Sequence, residues 1–75
     1  MQVESVKEMR VKMTLKVERV KRNLTQKQLQ KLSGVSMVTI GKIERGYVEK
    51  VTLITYKKLA KALGIPVEEL IKEEE

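Results

Sequence analysis

From Leu15 onward the apolar residues recur at spacings of three and four, in short blocks closed by single glycines. That is the pattern of brief helices, each burying one face. Leu15, Val17 and Val20 supply the inward face of a first helix running from about Leu15 to about Arg22, with Thr14 in the N-cap position. Leu24 anchors the break. Thr25 is a second cap, and Gln28 three residues on completes a capping box of the Thr-x-x-Gln kind, opening a second helix with Leu29 and Leu32 inward. Gly34 ends it, because glycine takes the left-handed conformation cheaply. After a tight turn Ser36 caps a third helix, with Ile40 and Ile43 inward and Gly46 closing it. The stretch "YVEKV" reads as a loop. Thr52 caps a fourth helix that turns Leu53, Tyr56, Leu59, Ala60 and Leu63 inward and stops at Gly64. Pro66 suits the first turn of a short last helix, with Glu68 and Glu69 at its positive end and Leu70 and Ile71 apolar.

The ends are less patterned. Val11, Met13, Leu15 and Val17 alternate as in a strand, yet Met9, Met13, Val17 and Val20 also fit one helix face. The cap at Thr14 favours an extended or loose arm over residues 1–13. Residues 73–75 are a solvated acidic tail. The expectation is an all-α, compact five-helix domain over residues 14–72, flanked by that arm and that tail.

With 75 residues there is room for one domain. Folding at this size buries only about 60% of the exposable surface, so pairing with a second copy would add useful stability. The net charge of +6 is uneven. Residues 1–50 hold 12 Lys and Arg against 5 Glu, whereas residues 51–75 hold 4 Lys against 5 Glu. A basic body with a slightly acidic end suggests one face built for a polyanion. There is no cysteine, histidine or aspartate and no glycine-rich phosphate loop, which argues against an enzyme, a cofactor or a metal site. Met9 and Met13 read as packing or arm residues rather than metal ligands. No apolar run approaches the ~18 residues of a membrane span and no signal-peptide block is present, so a cytoplasmic protein is expected.

Two short helices joined by a glycine turn are common, but here they come with a leading Gln26, a Ser36 cap and a terminal "IERG". The segments "LTQKQL", "SGVS", "TIGKIERG" and "KLAKALGIPVEELI" together resemble the lambda-repressor-like (Cro/C-repressor, xenobiotic-response-element type) helix-turn-helix family. The resemblance spans residues 15–71, about three quarters of the chain. It implies a DNA-binding domain whose third helix, residues 36–44, enters the major groove. With Ile40 and Ile43 inward, the outward positions are Ser36, Met37, Val38, Thr39 and Lys42, which the resemblance makes base-facing. It likewise implies backbone contacts from Gln26, Arg45, Tyr47 and Lys50, and an ion pair between Arg19 and Glu44 that ties the first helix to the end of the third.

Five positions stand out, four of them as departures from the family pattern. Met37 and Val38 are apolar where polar purine readers are common. They would touch thymine methyls, leaving Thr39 and Lys42 as hydrogen-bonding readers, or else mark a face that leans on phosphates or a protein partner. Gly41 sits mid-helix at a cost of ~1 kcal/mol, justified by a close approach of DNA or another helix. Gln30 occupies a position usually held by alanine where helices two and three cross, so its side chain must escape sideways and alter the crossing angle. Glu18 replaces a small or apolar residue.

Three function classes follow. The first is a sequence-specific DNA-binding transcriptional regulator, a repressor, on a palindromic double-stranded operator. The second is the antitoxin of a toxin–antitoxin pair, gripping a toxin partner. The third is a helical interaction module that has lost DNA binding. A homodimer is expected, through the last helix with Leu70 and Ile71 or through strand pairing of the arm at Val11, Met13 and Leu15.

Overall fold

A computed structural model of the chain describes residues 14–48 and 50–71. The expected arm over 1–13 and the tail over 73–75 lie outside those residues. Five helices make up the described fold, with no strand among them: α1 (14–21), α2 (Gln26–Ser33), α3 (Met37–Glu44), α4 (Leu53–Leu63) and α5 (Glu68–Ile71). The all-α class is as expected.

Local chemistry sets most of the boundaries. The Thr25 hydroxyl accepts the Gln28 N–H at 3.0 Å while the Gln28 side chain accepts the Thr25 N–H at 2.8 Å, a complete capping box. Ser36 and Thr52 accept the N–H groups of Thr39 and Thr55 and so open α3 and α4. Thr14 differs from expectation: it is already helical, so it stands inside α1 rather than capping it. At the other end of α1, Asn23 takes the left-handed conformation at φ 56°. The Leu24 N–H then reaches back to the Arg19 carbonyl and the Asn23 N–H to that of Val20, a Schellman closure made without glycine. Gly64 closes α4 in the same way, at φ 74°.

One core holds the helices together. Leu15, Leu29, Val35, Ile40, Ile43, Tyr56, Leu59, Ala60, Leu63 and Leu70 are buried, and Leu24, Val51, Ile65 and Ile71 pack against them. α2 lies against both α3 and α4, and α5 against α4. The expected inward faces are trimmed at their flanks, for Val17, Val20, Leu32 and Leu53 are exposed. Val35, not expected in the core, is buried there. Past Gly34 the chain turns sharply, the Val35 N–H is accepted by Ser33 Oγ at 3.0 Å, and the side chain swings under the turn.

Candidate nucleic-acid interface

The scaffold beneath α3 is an ionic knot. Arg19 Nε donates to Glu44 Oε2 at 2.6 Å and Nη2 to Oε1 at 3.0 Å, a two-pronged fork between the end of α1 and the end of α3. The third prong, Nη1, donates to the Leu24 carbonyl at 2.7 Å. Glu44 is the one buried charged residue among those described. Its hydrogen bonds to Arg19 raise the arginine's pKa above its usual value, with burial opposing. Gln26 joins the knot, its Nε2 donating to Glu44 Oε1 at 3.0 Å. Gln26, at the first position of α2, is therefore aimed by the same carboxylate that anchors α3.

Ile40 and Ile43 face the core with no exposure, which turns the opposite side of α3 outward. Met37 is 41% and Val38 66% exposed. Lys42, one turn after Val38, is exposed as well, and Thr39 is half-buried. Ser36, Arg45, Tyr47 and Lys50 are exposed, and the Arg45 guanidinium carbon lies 5.9 Å from the Tyr47 ring centroid. The residues expected to face DNA thus lie on α3, its cap and the loop after it, with Gln26 brought alongside by Glu44.

Three of the positions that stand out now have physical accounts. Gln30 turns toward the start of α3: its Oε1 accepts the Met37 N–H at 2.6 Å, closing an amide that Ser36 leaves free. Glu18 accepts from Arg22 Nη1 at 2.8 Å, and Arg22 Nε in turn donates to the Leu63 carbonyl at the end of α4. Gly41 makes room for side chains from the end of α3 and from α2. A Cβ there would stand 3.1 Å from Arg45 Nη1 and 3.9 Å from Gln26 Oε1, so these two side chains converge over the glycine. The approach of Gln26 from the neighbouring α2 is part of that account. None of these contacts follows from helical periodicity, although a Gln seven residues before a helix start is within reach of it.

Two short helices joined by a tight turn, the second braced against the core with its outer face exposed, make a helix-turn-helix domain. Residues 15–70 match the helix-turn-helix family model. The chain is also similar to the solved structure of the restriction-modification controller protein C.AhdI from Aeromonas hydrophila, at 35% identity and a TM-score of 0.77, over 84% of this chain and 94% of that one. No curated protein matches. The chain belongs to the lambda-repressor-like, Cro/C1-type helix-turn-helix family, and is a DNA-binding transcriptional regulator. No described helix is long and apolar enough to cross a membrane.

Proposed function

We propose that the chain is a sequence-specific repressor that occupies a palindromic operator as a homodimer, acting by binding rather than by catalysis. The observation that carries this is the outward face of α3, held rigid by the Arg19–Glu44–Gln26 knot. In this reading Ser36, Met37, Val38, Thr39 and Lys42 meet base edges, while Gln26, Arg45, Tyr47 and Lys50 hold phosphates. Occupying a site excludes a competing polymerase, so repression asks nothing further of so small a domain. Likeness to a restriction-modification controller points to genes of that kind as the regulated ones. A single reading helix covers only a few base pairs, and two copies on half-sites roughly 34–36 Å apart give the affinity a regulator needs. Leu70, expected beside Ile71 at this contact, is buried in the core, and exposed Leu53 and Ile54 join Ile71 as candidate contacts for the second copy.

Selection of bound sequences from a random DNA pool, at stated salt, should return an inverted repeat. Affinity should fall with salt at a log–log slope of about −0.9 per phosphate neutralised. Lys42→Ala should weaken the selected site by about 1–3 kcal/mol and relax one base position. Uniform weakening of every sequence would make Lys42 a phosphate contact. Sedimentation with the selected site, for Ile54→Glu, Ile71→Glu and a variant lacking residues 1–12, assigns the dimer contact. Absence of binding at low salt, or a flat salt dependence, overturns the reading.

A further inference from the structure

The first turn of α3 engages its two hydroxyls and its leading amide within the protein. Ser36 Oγ accepts the Thr39 N–H at 3.2 Å and lies 3.5 Å from the Thr39 hydroxyl. Gln30 Oε1 accepts the Met37 N–H at 2.6 Å. The apolar side chains on that turn, Met37 and Val38, are both exposed, at 41% and 66%. Valine cannot hydrogen-bond a purine edge, and the methionine sulfur is only a weak acceptor. Cations stand beside them, with Lys42 one turn on and Arg45 folded back over Gly41, so the patch complements a polyanion that carries apolar groups of its own. The major groove supplies one such group, the C5 methyl of thymine, for which cytosine has only a hydrogen.

We infer that Met37 and Val38 form a methyl-reading pair, so that the operator half-site is recognised at one or two positions by the thymine C5 methyl rather than by hydrogen bonds. This rests on the DNA-binding reading above. Val38 is β-branched, holds essentially one rotamer in a helix and gives a fixed edge; Met37 is flexible and fills the gap around it. Lys42 then supplies the polar half of the recognition from the next turn.

The test replaces each thymine of the selected site by deoxyuridine, which removes the methyl and leaves base pairing intact. Losing one buried methyl should weaken wild-type binding about fourfold at one or two positions per half-site. Met37→Ala and Val38→Ala should each shrink that difference toward onefold at one of those positions, while keeping the wild-type circular dichroism and salt slope. If deoxyuridine is tolerated everywhere while the selected site still outcompetes random DNA, the methyl reading fails and the regulator reading stands. If the methyl dependence persists in both variants, another group senses it and the assignment to this pair is wrong. Failure to bind any DNA overturns both.

Discussion

Replacing Arg19 by alanine should remove about 3–5 kcal/mol of stability, the range for breaking one side of a buried ion pair. The geometry argues for the upper part of that range. Arg19 is 12% and Glu44 5% exposed at the side chain, and one guanidinium makes hydrogen bonds of 2.6, 2.7 and 3.0 Å to two acceptor groups. Without it, Glu44 keeps only the Gln26 donor among the described residues, and the Leu24 carbonyl at the α1 closure loses its side-chain partner. A domain of this length holds about 4–11 kcal/mol in all, so the variant should be at or near the edge of folding. Urea unfolding followed by circular dichroism measures it. With a slope of about 1 kcal/mol per molar, the midpoint should drop by about 3 M or more at an unchanged slope. Arg19→Lys keeps the charge but not the fork and should fall between. Adding Glu44→Gln to Arg19→Ala should recover part of the loss, because a stranded charge then becomes a neutral amide. A single-variant midpoint within about 0.3 M of wild type would show that Gln26 and solvent suffice for Glu44, and would refute the knot as a stabilising element.

Two further outcomes follow from the same geometry. Gly41→Ala should raise stability by up to about 1 kcal/mol through helix propensity, since the atom 3.1 Å from the new Cβ is the exposed end of a flexible Arg45. The same variant should weaken DNA binding by moving that guanidinium from beside Gln26; a fall in stability would mean that Arg45 cannot yield. Burial raises the pKa of Tyr56 above 10, so the folded chain keeps its proton where the unfolded chain releases it. Stability from this residue is complete below about pH 10 and is lost as pH rises beyond that. Melting temperatures measured from pH 8 to 11 should therefore fall more steeply for wild type than for Tyr56→Phe, and parallel curves would contradict the assignment.

Most caps, Thr14 excepted, were legible in the sequence because they are local. Thr25 with Gln28, Ser36, Thr52, Gly34 and Gly64 each need only residues within one turn, and all five sit where the pattern places them. The core was legible at its centre, at Leu29, Ile40, Ile43, Leu59 and Leu63, and misread at its rim. A helical period marks a stripe of apolar residues, but how much of the stripe is covered depends on the neighbouring helix, so Val17, Val20, Leu32 and Leu53 came out exposed and Val35 buried. Side chains that reach across elements were out of range for the same reason. Gln30 looked like an obstruction at a crossing because its capping partner, the Met37 N–H, belongs to the next helix. At the interface, the outward residues of α3 followed from the inward placement of Ile40 and Ile43, whereas the aiming of Gln26 by Glu44 needed the tertiary contact.

The division of labour within α3 also bears on how such a regulator diverges. Ser36, Gln30, Ile40, Ile43 and Glu44 hold the helix in place, and none of that support involves the side chain of Met37 or Val38. Substitutions at those two positions should therefore be close to neutral for folding, within the few tenths of a kcal/mol usual for surface sites. A duplicated gene could exchange them and acquire a new operator in one or two steps without passing through an unfolded intermediate. Retargeting by design would begin at the same pair.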